Sequence, residues 1–153
     1  MLPEFLSPHF SLAELTQSQS AARVGLDNTP TPEIVTNLAR VASVLEQARV
    51  LLGVPILISS GYRCAALNAI IGGSKTSAHV QGLAVDFTAP KFGTPFHVAA
   101  TLADSSLQFD QIIQEYGKWV HLGLAPLDKM PRRMCLSIFS GTGYLPGLLA
   151  TAP

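Results

Sequence analysis

The stretch Ser77–Asp86, SAHVQGLAVD, decides how this chain is read. It runs from small polar residues into an apolar segment, GLAVDFTA over 82–89, whose single charge is Asp86, set between Val85 and Phe87. A short apolar run of that composition predicts a strand. A carboxylate inside such a strand is costly unless it is paired or coordinated. His79 comes shortly before it, with Gly82 between them to let the chain pass from loop to strand. His121 repeats the pattern as a lone imidazole within WVHLGLA, 119–125. Taken singly, each fits a hydrogen-bonded core histidine or a turn-capping aspartate. Together, two imidazoles and one carboxylate make the three-ligand set of a catalytic zinc site, whose fourth position is left for water or substrate.

Outward from this stretch, the patterning predicts helices first and strands later. Ser11 stands three residues before Glu14 in SLAEL, a capping-box pattern that predicts a short helix, with Phe10, Leu12 and Leu15 as its anchors. The clearest helix lies within 31–53: Thr31 suits the N-cap, Pro32 the first helical position and Gly53 the stop. Ile34, Leu38, Val41, Leu45 and Leu52 form its apolar stripe. PILISSGY (55–62) predicts a short buried strand, with Gly61 at a turn or close approach, and CAALNAIIGG (64–73) a helix stopped by its glycines. TPFHVAATLADSS (94–106) predicts another helix. FDQIIQEY, KWVHLGLA and RRMCLSIFS predict three strands, the first two joined by a tight turn at Gly117, and the tail from Gly141 reads as irregular. This order predicts an α+β domain, an antiparallel sheet with helices packed on one side.

Composition narrows the function. With 153 residues the chain reads as a single domain, 1–153, able to bury a core without disulfides or structural metals. Ten basic and ten acidic residues balance, so there is no basic stripe of the kind nucleic-acid binding requires. Only 13% of residues are charged and 48% are hydrophobic, which points to an apolar surface or to faces that pack on a partner. The longest apolar run, VLLGVPILI, is cut by Gly53 and Pro55, so no membrane span is expected. MLPEFLSPHF has no basic region ahead of an apolar one and does not read as a signal peptide. Cys64 and Cys135 lie far apart without zinc-ligand company and read as small, mostly buried hydrophobes, with pairing left open.

Three blocks, SGYR at 60–63, SAHVQGLAVD at 77–86 and WVH at 119–121, in this order and spacing, resemble the zinc D-alanyl-D-alanine carboxypeptidase and phage L-alanyl-D-glutamate endopeptidase family. Its fold is shared with the vancomycin-resistance D-Ala-D-Ala dipeptidases and the hedgehog signalling domain. The resemblance spans roughly residues 7–125, leaving 126–153 as a closing strand and tail, and the lead-in LSPHFSLAEL looks most like phage or prophage members. It implies one zinc ion held by His79, Asp86 and His121, and a peptidoglycan stem peptide as substrate. Arg63 would contact a substrate carbonyl or carboxylate, as a planar guanidinium can. Ser77 and Trp119 would line the site. The resemblance also implies synthesis in a bacterial cytoplasm, with action on the cell wall after release or as part of a virion.

Many relatives carry the general base three residues before the last histidine, where this chain has Lys118. The nearest acid is Glu115, six residues before His121, and the hedgehog domain shows a comparable spacing. Directly opposed residues share a sheet face, so a two-residue loop of Gly117 and Lys118 would turn Glu115 away from His121. An odd-length loop or a bulge is therefore expected, such as the loop Gly117–Trp119, with Glu115 opposite His121. Asp110 is the fallback base. His9 and His97 carry no expected role. A zinc module without turnover, or a phage structural protein of the same fold, is the competing reading.

Overall fold

Thr31 and Gly53 bound the helix on which the core is laid. A computed structural model describes residues 1–153. Strands β1 (Phe5–Ser7) and β2 (Phe10–Ser11) form a small hairpin, followed by helix α1 (Gln19–Arg23) and the long helix α2 (Pro32–Leu52). The Thr31 hydroxyl accepts the Ile34 N–H, and Gly53 closes the other end in the left-handed region with its N–H on the Arg49 carbonyl. Leu38, Val41, Leu45 and Leu52 are buried along one stripe, as the spacing predicts, with Ile34 half-buried at its start.

The main sheet has six strands in the order β3-β4-β6-β5-β7-β8: β3 (Leu57–Ser60), β4 (Ala84–Thr88), β5 (Gln111–Glu115), β6 (Trp119–Gly123), β7 (Met134–Ile138) and β8 (Leu145–Pro146). Helix α3 (Ala65–Ile70) follows β3, and α4 (Pro95–Ala103) follows β4. All pairings are antiparallel except β5 with β7, which is parallel, so the sheet is mixed rather than antiparallel throughout. β6 returns the chain to the end of the sheet where β5 begins, and residues 124–133 carry it past that end to set β7 parallel beside β5. Val85, Phe87, Ile112, Val120 and Leu122 lie on one face, in a core shared with Leu38, Leu45, Val98 and Leu102 of α2 and α4. The alternate residues face the other way and are free for chemistry.

Three local expectations are corrected. The capping box at Ser11 and Glu14 forms, with the Ser11 N–H on the Glu14 carboxylate at 2.8 Å and the Glu14 N–H on the Ser11 hydroxyl at 3.1 Å. No helix follows, only a turn. The Leu15 carbonyl accepts the Tyr62 N–H at 2.8 Å, and the Thr16 carbonyl accepts the Asn28 side-chain amide at 2.8 Å, so tertiary partners take the acceptors a further helical turn would use. Phe10, Leu12 and Leu15 are nonetheless buried. β3 is a half-exposed edge strand, not a buried one, with Leu57 54% exposed, because it has a neighbour on one side only. Gly61, just after it, passes so close to the Leu15 carbonyl that no side chain fits.

The tail is also less irregular than its composition predicts. Leu145 pairs with Ser137 and Pro146 with Leu136, which adds β8 to the sheet. Two fully buried polar side chains fasten the segment. The Gln114 amide donates to the Leu149 carbonyl at 3.0 Å and accepts the Gly117 N–H at 2.6 Å. The Ser137 hydroxyl donates to the Gly147 carbonyl at 2.9 Å and accepts the Leu149 N–H at 2.9 Å. Gln114→Ala would strand the Gly117 N–H and the Leu149 carbonyl. It is expected to cost about 1–3 kcal/mol in urea unfolding and to speed proteolysis of the tail; an unchanged midpoint and digestion rate would show that the strap contributes nothing.

Candidate active site

The register of β4 on β6 sets Asp86 directly opposite His121. His79 arrives from a single 3-10 turn, Ala78–Gln81, whose first residue is capped by Ser77: the serine oxygen accepts the His79 N–H at 3.3 Å. Gly82 ends that turn in the left-handed region (φ 68°) and turns the chain into β4, packed so closely on Ile34 that a side chain would crowd it. The spacing between His79 and Asp86 is thus one tight turn, one glycine and the start of a strand.

The three side chains converge. His79 Nδ1 is 2.7 Å from the Gly61 carbonyl, which can only accept, so Nδ1 carries the proton and Nε2 is the nitrogen turned toward the centre. That Nε2 lies 3.2 Å from Asp86 Oδ1, and His121 Nδ1 lies 3.0 Å from the same oxygen. All three residues are buried, and their donor atoms lie within 4.8 Å of one another. Tetrahedral zinc with bonds of about 2.0–2.2 Å separates its donors by about 3.3–3.6 Å, close to the 3.2 and 3.0 Å from Asp86 Oδ1 to the two imidazole nitrogens. Burial alone would raise the Asp86 carboxyl, but the His121 and His79 imidazoles beside it outweigh burial and hold the group well below the ordinary carboxylate range. A ligand that is ionised before the metal arrives is what the site requires.

The centre lies in an open cleft of about 790 Å³ on the sheet face away from α2 and α4. Arg63 and Ser77 line one side of it, and the Arg63 Nη2 donates to the Ser77 oxygen at 3.3 Å. The Arg63 Nε is buried without a hydrogen-bond partner, and burial lowers the guanidinium's pKa against the opposing charges of Asp86 and Glu115.

The hairpin between β5 and β6 has a three-residue loop, Tyr116–Lys118. Its length is odd, as Glu115 requires, but it begins one residue earlier than Gly117–Trp119. Glu115 consequently pairs with Trp119, and Ile113 takes the place opposite His121. The shift follows from the turn: Tyr116 (φ 59°) and Gly117 (φ 66°) are both left-handed, and the Lys118 N–H returns to the Glu115 carbonyl at 3.0 Å. Glu115 still shares the face of His121, as its diagonal neighbour. Trp119 lines the cleft and donates its indole N–H to Glu115 Oε2 at 2.7 Å, so it also orients this carboxylate. Burial pushes the Glu115 carboxyl up, with the charge of Asp86 adding to the effect.

The remaining candidates separate cleanly. Lys118 is exposed at the loop tip. Asp110 lines the far part of the cleft but is engaged by Arg132 at 2.7–3.2 Å, whose hydrogen bonds keep its carboxyl low. His97 bonds to the Thr94 hydroxyl at 3.1 Å, and His9 meets Glu46 of α2 at 2.8 Å, an acidic neighbour that its place in the chain does not reveal. Cys64 and Cys135 are free and only half-buried. Tyr144, from the tail, also lines the cleft. No local motif marks it, because it is brought there by the pairing of β8.

Asp86→Ala removes the carboxylate at the point of convergence. The variant is expected to lose bound metal, and with it the rise in melting temperature that metal gives the wild type. Retained metal and an unchanged rise would exclude Asp86 as a ligand. For Glu115, the folded-state pKa lies above the unfolded one, so folding favours the protonated form. In metal-free protein, stability should fall as pH rises from the unfolded value, about 4.3, through the raised folded value. Glu115→Gln lacks this loss. Its melting temperature should exceed that of the metal-free wild type at neutral pH, with the advantage vanishing below about pH 4; parallel melting curves across that range would refute the shift.

The sequence matches the family model described as Peptidase M15 over residues 8–123. No curated protein matches it. The matched stretch takes in all three blocks and ends with β6, so the strapped tail and Tyr144 lie outside it. No helix is long and apolar enough to cross a membrane. The match extends over well more than half of the chain and contains every residue that converges at the centre, and on that basis the protein belongs to the M15 family of zinc peptidases.

Proposed function

We propose that the protein is a zinc-dependent peptidase that hydrolyses amide bonds of D-residue-containing stem peptides in bacterial peptidoglycan, encoded by a phage or prophage. The observation that carries the reading is Glu115, a half-buried carboxylate of raised pKa on the same sheet face as His121. Family membership and the converging donors support the metal chemistry, and the lead-in and three blocks support the wall substrate.

Zinc held by His79 Nε2, Asp86 and His121 Nδ1 would supply a Lewis acid for the scissile carbonyl and lower the pKa of a water beside it. Glu115 keeps Oε2 on the Trp119 indole, so Oε1 is the atom that accepts the proton of the attacking water and passes it to the departing amine. Its raised pKa suits both halves of that transfer. Arg63, which lines the cleft, holds a carbonyl or carboxylate of the peptide through the exposed edge of its guanidinium. Ser77 steadies Arg63 and the backbone of His79 with one oxygen.

The test compares zinc content and peptidoglycan digestion for wild type and Glu115→Ala. Both should hold about one zinc per chain. The wild type should release new peptide ends, with the variant about 10²–10⁴-fold slower. If both bind zinc and neither cuts wall or stem peptides, the site is a metal centre in a binding protein, the reading that Lys118 at the usual position of the acid favours.

A further inference from the structure

The strap that fastens the tail has a consequence on the opposite sheet face. Strand pairing places Asp86, His121, Ile113, Leu136 and Pro146 in one row across the sheet. The next row on that face holds Trp119, Glu115 and Ile138. Continuing the pairing of Leu145 with Ser137 by one residue sets Tyr144 beside Ile138, in the same row as Glu115. Trp119 therefore stands directly beside Glu115 on one side, and Tyr144 stands beyond Ile138 on the other. Two strand spacings, about 9.6 Å, separate the columns of Glu115 and Tyr144, with Ile138 of β7 between them.

Tyr144 is held there and left unused. The Thr142 N–H bonds the Phe139 carbonyl at 3.0 Å to close the turn before it, and the Gly147 N–H bonds the Cys135 carbonyl at 2.8 Å after it. Gln114 and Ser137, both fully buried, grip the backbone from Gly147 to Leu149. The side chain itself is 59% exposed and lines the cleft. Partial burial raises its phenol pKa, with the charges of Glu115, Tyr116 and Asp86 adding, so the hydroxyl is a neutral donor at neutral pH.

We propose that Tyr144 contacts the substrate, its hydroxyl donating a hydrogen bond to a carbonyl oxygen of the bound peptide and its ring walling the cleft on the side of Glu115 away from Trp119. This rests on the peptidase reading and assigns a substrate contact to the segment beyond the family match. The probe is a stem pentapeptide ending in D-Ala-D-Ala, with zinc-loaded wild type, Tyr144→Phe and Tyr144→Ala. Binding is measured by calorimetry in a Glu115→Gln background, which holds the peptide without cutting it.

Losing one neutral hydrogen bond should weaken binding of the Phe variant about 2–12-fold and raise KM by the same factor, with kcat little changed. Zinc content and melting temperature should stay at the wild-type level, because the side chain is exposed. The Ala variant should lose more. A Phe variant that binds and cuts like the wild type overturns the proposal, as does one that loses zinc or melts early. A wild type that neither binds nor cuts the pentapeptide overturns the peptidase reading and this inference with it, whereas cutting unaffected by Tyr144→Phe overturns the inference alone.

Discussion

A carboxylate buried on a sheet between two imidazoles is unstable without positive charge, and the site side of this fold is arranged around Asp86. Its Oδ1 receives both ring nitrogens at 3.0 and 3.2 Å. Each imidazole is delivered by a different device: His121 by direct cross-strand pairing, and His79 by a capped 3-10 turn whose orientation is set through the Gly61 carbonyl. Gly61 in turn is pressed against Leu15 of the lead-in. The N-terminal segment thus takes part in fixing the tautomer of a histidine more than sixty residues away. A metal ion bound there adds the charge that hydrogen bonds supply only in part, which ties folding of this face to metal binding.

The sheet's period of two separates structure from chemistry. Val85, Phe87, Val120 and Leu122 sit in the core with α2 and α4, while their neighbours Asp86, His121 and Trp119 face the cleft. The two sides communicate through register, since a slip of one residue would exchange them. This is why the length of the β5–β6 loop matters more than the identity of its tip. A three-residue loop keeps Glu115 on the chemical face, and the left-handed backbone at Tyr116 is the local strain that accompanies it.

Glu115 shows the compromise that such a face requires. A carboxylate near another carboxylate and partly removed from water is held at a cost to stability, which its raised pKa records. Trp119 offsets part of this with one hydrogen bond and leaves the second oxygen open. Arg63 is placed similarly, with a buried donor that no protein group satisfies.

The sequence by itself determined the helices with clear caps, the core stripe of α2, the strands around Asp86 and His121, and the choice of His79, Asp86 and His121 as a group, which the fold brings together. These rest on local periodicity and on charged or imidazole residues standing out against apolar strands, signals contained within about ten residues. It also required an odd β5–β6 loop or a bulge, because strand alternation otherwise turns Glu115 away from His121. Only the tertiary structure decided the start of that loop, the failure of SLAEL to extend into a helix, the exposed edge at β3 and the place of Tyr144. Each depends on a partner distant in the chain: Tyr62 taking the Leu15 carbonyl, the empty outer side of β3, or Gln114 and Ser137 gripping the tail. Hydrogen-bond acceptors are claimed by whatever packs against them, and local sequence does not encode that competition.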